Sequence, residues 1–238
     1  MLGRTRSLKL KLFGALFVAG SFSSLFATST LPSCSTASLA SYVTSTSGGG
    51  GCAIGILDYY NVSYLPGSNA PSSSNITVTP GTAGFSFGPV TAAPGQTVQF
   101  EIDYQIFIDP APVITGDDLK LDPPSGDITV TEYFCNDLPF NPGPGAPTCL
   151  GGTAAPSLTV GNGNAFPSEA TIAFSPAATR FQEVEIVFTL NGGTGGASFD
   201  GLDSASILTT APEPASFGFA LLGIAGFAGY KLRKRHSR

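Results

Sequence analysis

Residues Thr97–Ile108 read TVQFEIDYQIFI. Val98, Phe100, Ile102, Tyr104, Ile106 and Ile108 fall on one face, and Gln99, Glu101, Asp103 and Gln105 fall on the other. That period of two is the signature of a half-buried β-strand. Phe181–Leu190 (FQEVEIVFTL) repeats the pattern, with Val184, Ile186, Phe188 and Leu190 opposed to Glu183 and Glu185. Weaker strands are predicted at Ile54–Tyr64, Ile76–Thr79, Gly84–Phe87, Asp127–Phe134, Leu158–Val160, Ala170–Phe174 and Ala205–Leu208. Gly, Pro, Ser and Asn clusters punctuate the gaps. No amphipathic helix of useful length is expected between residues 28 and 211.

About nine strands with turn signals throughout point to an all-β fold, an antiparallel β-sandwich or jelly roll forming one domain over residues 28–211. The composition agrees. Glycine (30) and proline (19) make up about a fifth of the 238 residues, which is rich in turns, while 18 phenylalanines can supply a core. No internal repeat supports a solenoid.

Charge is segregated along the chain. Arg4, Arg6, Lys9 and Lys11 crowd the first eleven positions, and Lys231, Arg233, Lys234, Arg235 and Arg238 the last eight. Between Thr28 and Ala211 stand only Lys120 and Arg180 against fifteen acids. Nucleic-acid binding is excluded for such a body, because neutralising phosphates needs clustered cations.

The two ends are addresses. Residues 1–27 have the form of a secretory signal peptide: the basic start, the apolar run Leu12–Phe26, and Ala27 before the expected cut. An uncleaved anchor is the competing possibility, but a 15-residue run broken by Gly and Ser is short for one. At the other end, Pro212-Glu213-Pro214 is followed by the apolar stretch Ala215–Tyr230, a predicted transmembrane helix, and the tail KLRKRHSR. The basic residues Lys231, Arg233, Lys234 and Arg235 act as a stop-transfer signal that fixes the C-terminus in the cytoplasm. Pro212 and Pro214 keep the junction extended. An ordinary C-terminal anchor would look similar.

The combination of Pro-Glu-Pro, an immediate Ala-Ser, an apolar helix and a basic end resembles the PEP-CTERM sorting domain over residues 212–238. The resemblance implies a bacterial protein exported by the general secretion machinery and held transiently in the inner membrane. Exosortase, a membrane protease, would then release it at or near the motif to the cell surface or extracellular matrix. Such proteins accompany exopolysaccharide and biofilm-matrix systems, so exopolysaccharide is an implied partner. Cys34, the segment Gly51-Cys52-Ala53-Ile54-Gly55 and the aromatic strand to Tyr64 resemble the β-sandwich bodies of uncharacterised PEP-CTERM proteins, which bring no activity with them.

Four cysteines survive signal removal. Cys34 and Cys52, then Cys135 and Cys149, form two local pairs, and export favours disulfides in that pairing. Free thiols and a zinc site are the alternatives, but no Cys-x-x-Cys spacing occurs and the one histidine is His236 in the tail.

An ectodomain without histidine has no Ser-His-Asp or Cys-His catalysis open to it. It also has no tryptophan, though Tyr42, Tyr59, Tyr60, Tyr64, Tyr104 and Tyr133 remain as sugar platforms. Catalytic residues, cofactors and a metal centre are therefore not expected, and a non-enzymatic structural or adhesive role leads. Two alternatives belong to other classes. Glu101/Asp103 and Glu183/Glu185 share strand faces and could serve carboxylate-dependent glycan processing, against the plainer possibility of a solvent-facing row. Asp117, Asp118, Asp122 and Asp127 are expected in one loop near Asp109, with Asp200 and Asp203 around Gly201, and could hold calcium in an adhesin. Thr77/Thr79 and Thr129/Thr131 are Thr-x-Thr pairs of the kind an ice-binding face stacks, although two isolated strands fall short of one.

Overall fold

The computed structural model describes residues 29–108, 113–141, 147–162, 166–178 and 180–209. The predicted signal peptide and the whole PEP-CTERM segment, from Pro212 to the basic tail, lie outside them.

The chain enters through Pro32–Cys34, which runs beside the edge of a sheet: Cys34 N–H donates to the Ala53 carbonyl and Ala53 N–H to that of Pro32. Next come β1 (Ala37–Ser38) and an eight-residue helix, α1 (Leu39–Thr46). Ser38 caps this helix by accepting from Ser41 N–H, as an N-cap serine does. α1 is a departure from the sequence expectation. Its sequence LASYVTST hides it, because Ser, Thr and Val are weak helix formers. It is held by packing, burying Leu39, Tyr42 and Thr46.

The strands follow as β2 (Gly51–Ile54), β3 (Leu57–Pro66), β4 (Thr77–Pro80), β5 (Gly84–Gly88), β6 (Val90–Ala92) and β7 (Thr97–Ile108). After them come β8 (Val113–Ser125), β9 (Asp127–Asn136), β10 (Thr148–Cys149) and β11 (Thr153–Ala154). The last four are β12 (Ser157–Asn162), β13 (Glu169–Ala178), β14 (Phe181–Asn191) and β15 (Ala197–Thr209). The predicted Ile54–Tyr64 strand is therefore two strands. Gly55, at φ 63°, makes the two-residue turn between the Ile54–Leu57 pair, as hairpins of this length require.

The paired strands are antiparallel and form two large sheets. One has the order β1-β4-β5-β15-β8-β13, with β6 pairing the early half of β15; the other runs β12-β9-β14-β7-β3-β2, and β10-β11 is a small separate hairpin. The expected all-β antiparallel sandwich is the fold.

The inward faces interdigitate. Phe100, Phe188 and Phe199 stack in series, with ring centroids 4.3 Å and 6.0 Å apart and planes within 15°, and Phe85 meets Tyr59 edge-on at 4.5 Å. Each such ring withdrawn from water contributes roughly 1.5–3 kcal/mol. The face of β7 assigned from sequence to the core is buried without exception, Val98 through Ile108.

The short strands β1, β6, β10 and β11 are missing from the sequence reading. The longest strand missing from it is β8, at 13 residues as long as any among the described residues. Gly116, four charged residues between 117 and 122, and Pro123-Pro124 disguise it as a loop. Gly116 and Asp117 are both buried although they are adjacent, and β8 shifts register against β13 and β15 between Ile114 and Gly116, so its alternation is broken. Its prolines lie beyond Lys120, where β13 no longer pairs with it, and an unpaired edge tolerates the missing N–H.

Disulfides join Cys34 to Cys52 and Cys135 to Cys149, the expected pairing. The first fastens the entering segment to edge strand β2. The second pins the excursion between β9 and β12, which carries β10 and β11, over the outer face of the six-stranded sheet.

Candidate functional site

The outer face of the six-stranded sheet gathers the four acids singled out as paired carboxylates, Glu101, Asp103, Glu183 and Glu185. Alternation turns Glu101, Asp103, Gln105 and Phe107 of β7 outward, and the same rule turns out Phe181, Glu183 and Glu185 of β14. Register then assembles them: Asp103 lies opposite Glu185, Gln105 opposite Glu183, and Phe107 opposite Phe181. On the other side of β7, Asp103 faces Ser63 and Gln105 faces Tyr60 of β3.

β3 carries a bulge between Tyr60 and Ser63, with Asn61 at φ 50°, a left-handed conformation that asparagine tolerates. The bulge aims the Asn61 amide across the face. Asn61 Nδ2 donates to Gln105 Oε1 at 2.7 Å, and Gln105 Nε2 donates to Glu183 Oε1 at 2.8 Å. The Phe140 N–H, from the disulfide-pinned excursion, completes Glu183 at Oε2.

Beside this chain of amides, oxygens of Glu101, Asp103 and Glu185 all lie within 4.8 Å of one another. Like charges on neighbouring strands repel, and no lysine or arginine among the described residues pairs with them: the ion pair among those residues is Lys120–Asp122, on β8. Burial, reinforced by Asp103, pushes Glu101 up to about 7. Burial, then repulsion from Glu101, Asp103 and Glu183, pushes Glu185 to about 7 as well. Asp103 is raised by burial, against the stabilising bond that Ser63 Oγ donates to its Oδ2 at 2.8 Å. Three converging carboxylates are a geometry able to share protons or to receive a hard cation.

An aromatic band borders the acids. Tyr60 meets Phe107 edge-on at 5.2 Å, and Phe107 meets Phe181 at 5.1 Å. Phe107 is 42% exposed, a large apolar side chain left to solvent. Gly51, opposite Tyr60, leaves room for the ring: a Cβ there would come within 2.8 Å of it.

The proposed calcium acids are not brought together. Asp117, Asp118 and Asp122 sit on strand β8 rather than in a loop: alternation puts Asp117 on the face opposite the other two, and four residues of extended strand separate Asp118 from Asp122. Asp117 is buried between the sheets, Asp118 faces outward to accept from Thr171 Oγ1 at 3.1 Å, and Asp122 pairs with Lys120 at 3.5 Å. Asp200 and Asp203 likewise lie on β15, and Asp109 lies outside the described residues. The two Thr-x-Thr pairs are on β4 and β9, in different sheets, so they cannot form one face.

A second polar group was not found from the sequence. Glu132 on β9 is fully buried, and so are Tyr59, Tyr104 and Gln182, with Asp117 only 1% exposed. Tyr104 Oη and Ser204 Oγ both donate to Glu132 Oε1, at 3.3 Å and 2.7 Å. Burial pushes Glu132 up to about 7 against those two bonds. Burial and then Glu132 raise Asp117, and burial and then both carboxylates raise Tyr59. The signal for Glu132 was present, since Ile128, Val130 and Phe134 share its face. The broken alternation of β8 carried none for Asp117.

No family model matches the chain and no curated protein matches it. Among solved structures it is similar to TmCBM61, a carbohydrate-binding module seen in complex with β-1,4-galactotriose, at 11% identity over 63% of this chain and 88% of that one, with a TM-score of 0.35. It is also similar to the enzymatically active domain of bacteriophage CBA120 tailspike protein 4, at 12% identity over 62% of this chain and 19% of that one, with a TM-score of 0.31. Neither likeness is close enough to assign a ligand.

Proposed function

We propose that this chain is an exported, non-catalytic surface or matrix protein that contacts polysaccharide through the outer face of its six-stranded sheet. The observation that carries the proposal is the row Tyr60–Phe107–Phe181 lying beside the Asn61–Gln105–Glu183 hydrogen-bonded chain. Sugars present apolar C–H faces edged by hydroxyls, and aromatic rings next to fixed amides and carboxylates complement both. A sheet face holds these groups rigidly, which lowers the entropic cost of binding. Two disulfides fit a periplasmic or extracellular location, and the PEP-CTERM tail supplies the route through exosortase.

Affinity electrophoresis of the protein against its host's exopolysaccharide tests the face. Retardation should fall at least about tenfold in Phe107→Ala, equivalent to roughly 1.4 kcal/mol. Retardation unchanged by Phe107→Ala and Tyr60→Ala together would rule this face out. Intact mass tests the route: loss of about 27 N-terminal residues and of everything beyond about Pro212 is the expected product, whereas a membrane species keeping Ala215–Arg238 identifies a plain anchor.

The convergence of Glu101, Asp103 and Glu185 favours one second reading, a carboxylate-dependent glycan-processing enzyme. Two acids near 7 are suited to proton transfer at neutral pH. Turnover of the same polysaccharide, abolished by Glu185→Gln, would establish it; binding without turnover would leave the adhesive role.

A further inference from the structure

The outer face of the six-stranded sheet carries negative charge that nothing beside it balances. Alternation turns Asp58 of β3 outward too, opposite Phe107 in register and two residues from Tyr60. It joins Glu101, Asp103, Glu183 and Glu185 there. Lys120 belongs to the other sheet and pairs with Asp122. Arg180, just before β14, donates its N–H to Asp137 and makes no ion pair with these acids among the described residues.

The acids are not equally occupied. Glu183 is held at both oxygens, by Gln105 and by the Phe140 N–H. Asp103 Oδ2 accepts from Ser63, but Asp103 Oδ1 and Asp58 Oδ1 have no hydrogen-bond partner. Glu101, Asp103 and Glu185 each bring one oxygen to a common point, all within 4.8 Å of one another. An ammonium group carries three donors to meet three such acceptors, whereas a calcium ion would still need several further oxygens. An ammonium there would also relieve the repulsion that helps to hold Glu101 and Glu185 near 7. Asp103 lies four residues along β7 from Phe107, roughly 13 Å of extended strand, a span that a short oligosaccharide covers. The Asn61 and Gln105 amides lie between them.

Resting on the reading of this face as a polysaccharide contact, we propose that its ligand is a polysaccharide with free amino groups, of the glucosamine class. Its rings lie along Tyr60, Phe107 and Phe181, and one ammonium is held by Glu101, Asp103 and Glu185. Asp58, beside Phe107, attracts the amine of a neighbouring unit, and cations are favoured near the faces of aromatic rings. A neutral polymer keeps the aromatic contact and forgoes the charge. A uronate- or sulfate-bearing polymer meets like charge on the same acids and is rejected.

The test titrates the full oxidised protein, at slightly acid pH where glucosamine amines are charged, with a glucosamine hexamer, its fully N-acetylated counterpart and oligogalacturonate. The free-amine hexamer should bind at least about tenfold tighter than the acetylated one, equivalent to roughly 1.4 kcal/mol. That preference should shrink as salt is raised to about 0.15 M, and oligogalacturonate should not bind. Asp103→Asn with Glu185→Gln, which keeps shape and removes repulsion, should bring the two hexamers to similar affinity, while Phe107→Ala weakens both. Equal affinity of the unaltered protein for the two hexamers, lost in Phe107→Ala, overturns the amine and leaves the polysaccharide contact standing. Oligogalacturonate binding that requires calcium assigns the acids to a metal bridge and overturns the proposal as well. Free-amine binding that survives both the acid and the Phe107 substitutions places the contact elsewhere, and both readings fall. Binding of none of the three overturns the ligand class, and retardation by the host's exopolysaccharide then decides separately for the face.

Discussion

Glu101 and Glu185 take up protons in the folded protein that they would release in the unfolded chain. Their ordinary value is 4.5 and their folded value about 7, so the native state binds more protons across that interval. Their contribution to stability is fully present below about pH 4.5 and is lost as pH rises through about 7. Thermal unfolding followed from pH 4 to pH 8 should show a falling Tm, and Glu185→Gln should flatten the slope. A Tm that climbs with pH over this window would contradict the geometry. Both groups are close to half exposed, so solvent screening keeps the effect modest. That Glu101 and Asp103 share a face follows from their spacing along one strand. That Glu185 joins them depends on which residue of β14 lies opposite Asp103, and neither strand's own pattern carries that register.

Among the elements, those with unbroken alternation were legible. β7 and β14 bury the alternating apolar faces read from their sequences, Val98–Ile108 and Val184–Leu190, and β9 does so with Glu132 as its one buried acid. β8 was not legible, because its burial depends on β15 and β13 lying on either side, a tertiary fact that overrides glycine, proline and charge. The excursion between β9 and β12 is a different case, for its paired segments are only two residues each. It is held by the Cys135–Cys149 bridge, by the Phe140–Glu183 bond and, at its start, by Asp137, whose N–H donates to the Phe181 carbonyl and whose Oδ1 accepts from the Arg180 and Phe181 N–H groups. Replacing both cysteines by alanine should cost about 3 kcal/mol in a urea titration under the chain-entropy model for a loop of this size. Limited proteolysis should then cut between residues 137 and 156 while the sandwich stays intact. Unchanged protease resistance would show that the excursion is held by other contacts.

At the scale of the molecule, β14 and β15 stand inside the two sheets, β14 between β9 and β7 and β15 between β5 and β8. They are consecutive in the chain and cross from one sheet to the other at Gly192–Gly196, with Phe188 and Phe199 stacked across the gap. Deleting residues 197–209 should therefore abolish protease resistance throughout the described body, not merely trim an edge; a resistant core in such a deletion would mean the sheets close without β15. A chain is made from its N-terminus, so every strand flanking β14 and β15 exists before the strands that unite them. Until β14 and β15 arrive, the earlier strands wait with open hydrogen-bonding edges, and those edges can pair with a neighbouring chain as readily as with their own. Completion is thus an event in time, set by the arrival of one β-turn-linked pair. Whatever delays that arrival lengthens the interval in which this protein is a template for others.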